Sequence, residues 1–440
     1  MNTRLLLISL LGLLILFVTD CKKNDDPNDP NFAIAIPDPA FEQALIDLKI
    51  DTKKDGKVLF SSTQRVTSLN LYNKGISSLQ GLESFVYITS LDCSQNNLVY
   101  LDVHTNTALK TLECNGNKLI DLDVSKLTML NRLGCSENKL TSLDVSKNTQ
   151  LTHLACSANN LTGLDISRNT SLTLVHGNAN KFTSLDLKKN LSLSILACAD
   201  NNLTGLDIQA NTRLVYLDCK NANLTSLDVT KNELLTELYC SGNNLSTLDI
   251  SKNKILTDLT CSATNLTRLD ITRNTILANL YCDNNQLTAL DISKNTRLLI
   301  LDCKNNQLDS LNSSRNTMLT QLFCSKNKLK ILNISSNKEL LSLNGGDNKL
   351  DSLNVSKNLK LTSLYCSSNK ITNLDVSKNT ALTELYCANT NLTNLDLKNN
   401  PLLQWMSCNN NTIQFICVAD LGNVKPTWLK DESATYRVCQ

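Results

Sequence analysis

Proline, glycine, histidine and aromatic residues are all scarce in this chain. Of 440 residues, 6 are proline, 13 glycine and 3 histidine, and aromatics make up 4%. Pro27, Pro30, Pro37, Pro39, Pro401 and Pro426 leave the long middle of the chain free of a residue that would remove a backbone donor. With only His104, His153 and His176, and no Gly-x-Ser-x-Gly, P-loop or His-Glu-x-x-His run, the sequence offers no motif for an enzyme. No catalytic residue, cofactor or metal is expected. A net charge of +2 with 19% charged residues excludes the polybasic surface that nucleic acid requires. The apolar run from Leu5 to Val18 is too short to span a bilayer.

What is abundant is one unit, Leu-x-x-Leu-x-Cys-x-x-Asn-x-Leu-x-x-Leu-Asp-[Val/Ile]-Ser-Lys-Asn-Thr-x, repeated every 21 residues from about Leu91 to Asn411. Fourteen cysteines from Cys93 to Cys408 share this grid, and its two vacant points hold Gly177 and Gly345. A fixed period of this length predicts a solenoid, each coil burying its apolar edge against its neighbours. In one coil Leu151, Leu154, Cys156, Leu161, Leu164 and Ile166 are expected to point inward. Alternation about Leu154 and Cys156 predicts a strand, and stacked strands predict a parallel sheet with about 4.8 Å between coils. The second half-unit predicts a further strand or extended run on the opposite side. Two asparagine columns, one through Asn96, Asn117 and Asn138 and one through Asn148, Asn169 and Asn190, are expected to satisfy backbone groups at the corners. The fold class expected is a β-rich repeat solenoid, a rod of roughly 16–17 coils by that period, with little helix outside an N-terminal cap.

The half-units Leu151–Leu161 and Leu161–Asn169 each match the signature Leu-x-x-Leu-x-Leu-x-x-Asn/Cys-x-Leu. The array resembles the short, nested class of bacterial leucine-rich repeats, with cysteine in the third apolar place. Ahead of it, Pro39-Ala-Phe-Glu-Gln-Ala-Leu-Ile-Asp-Leu48 has helical spacing. Asp51-Thr-Lys-Lys-Asp-Gly-Lys-Val58 resembles the half-EF-hand cap of internalin-type repeats. Lys53 and Ser62 stand where the third and twelfth oxygen ligands belong, so calcium is not expected to bind. Val18-Thr-Asp-Cys21 after the apolar run resembles a bacterial lipobox, with Asp20 in place of a small residue. This resemblance implies lipidation at Cys21 and export, with anchoring at the outer membrane or cell surface; a soluble secreted product is the alternative. The domains read as signal peptide 1–20, tether 21–35, cap 36–65, solenoid 66–413 and C-terminal cap 414–440.

The grid cysteines invite a metal or disulfide reading. Their spacings are all 21 or 42, unlike paired zinc ligands, and in-register neighbours sit wider than a disulfide allows. They are expected to be buried free thiols acting as small hydrophobes. Cys417 and Cys439 lie off the grid and are expected to pair in the C-terminal cap.

Recognition is sought where equivalent positions vary. The residues three before, one before and one after each grid cysteine should face solvent. Seven aromatics lie in the first two of these columns: Tyr216, Tyr239, Tyr281, Phe323, Tyr365, Tyr386 and Trp405. Exposed aromatics in rows point to a ligand-binding face; the alternative is stacking for stability. Tyr365, Tyr386 and Trp405, on successive coils, are expected to form the tightest patch. The other side carries a monotonous column from Asp102 to Asp396, with Lys or Arg three residues on, readable as a solvated neutral back or as a cation ladder. The function expected is non-enzymatic protein binding or adhesion; the alternatives are surface-glycan binding and a passive spacer.

Overall fold

The computed structural model describes residues 31–439. Its main sheet has 17 three-residue strands, from Ser68–Asn70 through Trp405–Ser407. Each strand pairs in parallel with its neighbours in the array. Among the described residues no register joins the first strand to the last, so the sheet is an open ribbon along the rod. Leu154 lies in register with Leu133 and Val175, so the inward leucines form one continuous apolar column.

The six inward positions of the repeat are buried as the period predicts, with Leu151, Leu154, Cys156 and Leu161 at 0% exposure. The second half-unit is an extended run rather than a second sheet. It carries sparse inter-coil bonds such as Lys139 N–H to the Leu119 carbonyl, 2.8 Å. Among the described residues this side becomes regular only at the C-terminal end, where Asn394–Asp396, Phe415–Val418 and Thr435–Val438 form a three-stranded parallel sheet. That sheet includes a Cys417–Cys439 disulfide.

The two asparagine columns do different work. Asn159 accepts from Leu140 N–H of the previous coil (3.0 Å) and donates to the carbonyls of Cys135 (3.0 Å) and Cys156 (3.1 Å). One side chain therefore closes its own corner and its neighbour's. Asn169 in the second column donates to the Val145 and Asn148 carbonyls at 3.0 and 2.9 Å, but its own carbonyl oxygen is buried without a partner, as in most of that column. This column only donates. Asn337 is different, because Ser313 replaces the usual Val or Ile and donates to its oxygen at 2.8 Å.

All fourteen grid cysteines are buried and free. Burial pushes the Cys156 and Cys240 thiols up to about 12, which suppresses thiolate chemistry. The two vacant grid points differ. A Cβ on Gly177 would lie 2.8 Å from the Phe182 ring, and Phe182 is fully buried in a leucine position. The larger ring fills the space a cysteine leaves. At Gly345 a Cβ would meet Leu332 and Leu350 at 3.4 and 3.8 Å, ordinary contacts.

The N-terminal cap is the helix Pro39–Asp47 with an antiparallel pair, Ala33–Ala35 against Lys57–Leu59. The first of these strands lies in the stretch assigned from sequence to the tether, and Ile36 beside it is buried in the core. Asp38 joins cap to solenoid. One carboxylate oxygen caps the helix through Ala40 and Phe41 N–H at 2.9 and 3.0 Å, and the other accepts from Ser77 and Ser78 N–H at 2.8 and 2.9 Å. The buried Glu42 of this helix accepts the N–H of Gly56 in the EF-hand-like loop. The lipobox, Cys21 and the signal peptide lie outside the described residues.

The exchange at Gly177 is testable. Gly177→Cys should destabilise by about 1–3 kcal/mol, the usual cost of overpacking, and Phe182→Leu added to it should restore most of the loss. Gly345→Cys should be neutral or slightly stabilising. Denaturant melts of the three variants would check this; additive losses in the double variant would break the volume argument.

Candidate functional site: the outer face of the sheet

Identical interiors leave variation to the outside of the strands. The seven aromatics predicted to share this face do so, but they are not fully open. Trp405 is 49% exposed and the other six are half-buried between flanking coils. Tyr365 and Tyr386 are register partners whose rings stack at 4.8 Å and 6°, and Tyr216 packs diagonally on Tyr239 at 5.4 Å. Trp405 pairs in register with Glu384 and so stands in the other column from the tyrosine stack. Tyr239, Tyr281 and Phe323 sit two coils apart in one column, with Thr260 and Asp302 between them. Among the described residues Tyr281, Phe323 and Trp405 have no aromatic ring partner.

Carboxylates thread this face. The Tyr239 hydroxyl donates to Glu237 at 2.7 Å, and that of Tyr365 donates to Glu384. Asp218 and Asp302 are buried at 6% and 5% exposure although they point to the outer side. Burial pushes both carboxyls above their ordinary value, and the lysines two residues on oppose the shift. Lys220 lies 3.5 Å from Asp218 and 5.3 Å from the Tyr239 ring centre. Lys304 donates to Asp302 at 2.6 Å and lies 3.9 Å from Asp283. Burial works against the charge on Lys304, but the bond to Asp302 together with the charges of Asp302 and Asp283 outweighs it and holds the ammonium above its usual range. Sequence reasoning passed over Lys220, Asp283 and Lys304. They occupy the column one after each cysteine, which alternation assigns to the same face and which could have been read the same way.

The N-terminal coils present different chemistry. Arg132 donates to Glu113 at 2.5 Å, whose carboxylate lies over the Cα of Gly134. His153 and His176 fall on adjacent strands. Burial, then Arg132 and His153, hold His176 below the ordinary histidine value. Among the described residues no group of three or more His, Cys, Asp or Glu side chains is placed to hold a metal.

The aspartate column on the opposite side has a local task. Asp144 and Asp249 accept the N–H two residues on, from Ser146 and Ser251, at 2.8 and 2.9 Å. These are Asx turns. Asn312 and Asn333 do the same at 3.1 Å without charge. The backbone N–H, aided by the serine hydroxyl, holds the Asp144 and Asp249 carboxyls below their ordinary value. Beside this column lies a shallow groove of about 770 Å³ whose lining includes Leu248, Arg268, Leu269, Asp249, Asp270 and Asp291.

Stability from a depressed carboxyl is fully present above the unfolded value, about 3.9 for aspartate, and is lost as pH falls through the folded value. Replacing Asp249, Asp270 and Asp291 by asparagine should leave the melting temperature at pH 7 nearly unchanged and flatten its fall below about pH 4. Asp249→Ala should cost roughly 0.5 kcal/mol, the low end for an exposed hydrogen bond. Equal losses from Asn and Ala would show that the charge, not the turn, is what the column provides.

No family model matches the chain, and no curated protein does. Solved structures do. The functional domain of InlJ from Listeria monocytogenes, which includes a cysteine ladder, is 32% identical over 88% of this chain and 82% of that one, with a TM-score of 0.71. The leucine-rich repeat protein LIC12759 of Leptospira interrogans is 22% identical over 80% of this chain and 92% of its own, with a TM-score of 0.68. The plant peptide hormone receptor RGFR1, in complex with RGF2, shares the fold at 18% identity over 79% of this chain and 64% of that one, with a TM-score of 0.67. In-register coils, buried asparagine corners, a ladder of buried cysteines and the likeness to InlJ make this chain a member of the bacterial leucine-rich repeat proteins.

Proposed function

We propose that the chain is an exported, lipid-anchored, non-enzymatic binding protein that engages a protein ligand through the aromatic face of its sheet. The observation that carries this is the placement of seven of the nine aromatics between residues 94 and 414 on one outer face, while the interior positions are filled by leucine. Self-stacking accounts for Tyr216 with Tyr239 and for Tyr365 with Tyr386, but not for Tyr281, Phe323 or Trp405. A glycan-binding reading needs open ring faces for sugars. The stacked pair spends two of its faces on each other, which favours a protein ligand. The same fold serves peptide recognition in RGFR1; at that identity the likeness speaks to the fold, and the reading here rests on this face. Export and anchoring rest on the apolar run and the lipobox-like Cys21. Among the described residues no helix is long and apolar enough to cross a membrane.

Tyr365→Ala combined with Tyr386→Ala should weaken ligand binding at least tenfold, as aromatic hot spots do. The melting temperature should change little, because a stacked pair contributes only about 0.5–1.5 kcal/mol beyond its area. Asp165→Lys on the opposite side should leave binding intact. Loss through Asp165→Lys with no effect of the tyrosines would move the recognition face to the other side. Cys21→Ala should shift the protein from the detergent to the aqueous phase, and unchanged partitioning would remove the lipid anchor.

A further inference from the structure

Acidic groups on the outer face are concentrated where two of the three unpaired aromatics, Tyr281 and Phe323, stand. Across the three outward columns of the six coils from Tyr216 to Ser325, the carboxylates are Asp218, Glu237, Asp258, Asp283 and Asp302, and the ammoniums are Lys220 and Lys304. Five against two leaves this patch at −3 on a chain whose net charge is +2. The coils on either side are less acidic: the preceding ones hold Asp92 and Glu113 against Arg132, and the following ones hold Glu384.

The patch already shows how it holds a cation. The Lys220 ammonium rests between the Asp218 carboxylate and the face of Tyr239, at 3.5 Å and 5.3 Å, which is cation–π geometry. Register then repeats the elements of that arrangement without a second ammonium over the rings. Asp302, already held by Lys304, lies in line between Tyr281 and Phe323, whereas Glu237 and Asp258 flank Tyr239 from the adjacent column and, among the described residues, carry no ammonium. Coils about 4.8 Å apart place rings in this column at roughly 10 Å intervals, with Thr260 in the first gap and Asp302 in the second. Carboxylates can accept from sugar hydroxyls, but a neutral sugar would leave the patch's net charge of −3 uncompensated, and an acidic partner would be repelled.

We propose that this aromatic and acidic segment, centred on Tyr239, Tyr281, Glu237 and Asp258, is the docking surface for an extended peptide segment rich in lysine or arginine. The inference rests on the reading of this face as the recognition face and names the class of partner it takes.

The test measures binding of an alternating lysine–serine peptide, its glutamate–serine counterpart and a neutral oligosaccharide to the full chain by calorimetry. The lysine peptide should bind, more weakly as salt rises, and the glutamate peptide should not. Glu237→Gln with Asp258→Asn keeps both side chains near their present shape and should lower affinity for the lysine peptide at least tenfold. Tyr281→Ala should lower it further. Asp249→Asn with Asp270→Asn, on the opposite side, should have no effect. Equal binding of both peptides, or loss only through the opposite-side pair, would overturn the proposal. So would binding of the oligosaccharide alone. If Tyr365→Ala with Tyr386→Ala weakens a physiological partner while no lysine peptide binds, the recognition face stands and the cationic class does not. If neither occurs, both readings go.

Discussion

A coil of 21 residues is too narrow to satisfy its own backbone at the corners, and the rest of the molecule follows from how that is solved. Each corner buries carbonyls that water cannot reach, and each unpaired group would cost about 1–3 kcal/mol. The asparagine of the first column supplies the missing donors and acceptor, reaching from Asn159 back to Cys135 and Leu140 of the preceding coil. Closing one coil therefore requires the next, which couples stability to nearest neighbours. Where the column is interrupted the substitute shows what is essential. Thr264 and Thr390 keep a hydroxyl that donates to the carbonyls of Cys261 and Cys387 at 2.7 and 2.9 Å. Ala222 keeps only its backbone N–H on Asn243.

The second constraint is volume. Leucine and cysteine in fixed columns pack at the density of a protein interior, so a change in one position must be met in another. Gly177 with Phe182 is such an exchange within one coil. The cysteines are one answer to a space about that size, and their burial keeps them from thiol chemistry. With the inside so constrained, chemical variety is confined to the outer strand face, where strands rather than mobile loops position it. The face therefore differs along its length, polar near Arg132 and His176, aromatic and acidic from Tyr216 to Phe323 and mainly aromatic beyond, while the interior stays nearly constant.

The period, the alternation about each cysteine and the apolar columns were legible because each is repeated some sixteen times over, and repetition makes a weak local signal strong. The same comparison across coils placed the seven aromatics on one face. It also set the asparagines inward, since an amide recurring at a corner has a backbone to satisfy. These properties depend on spacing along the chain, and spacing alone determines which side of a stacked coil a residue occupies.

Tertiary structure decided what happens between neighbours. A left-handed residue two places after the cysteine recurs in nearly every coil, at Gln95, Glu137, Ala158, Lys326 and Ser368 among others. Residue types that seldom adopt that conformation gave no sign of it, because the corner and its bond to the next coil impose it. Whether the second asparagine column accepts as well as donates could not be read either, since that depends on where Ser313 reaches. The burial of Asp218 and Asp302, their lysine partners and the stacking of Tyr365 on Tyr386 arise from register between coils. Sequence determined the face on which these groups stand; only the packing of one coil on the next decided which of them touch, because contact across a sheet is a property of two strands and not of one.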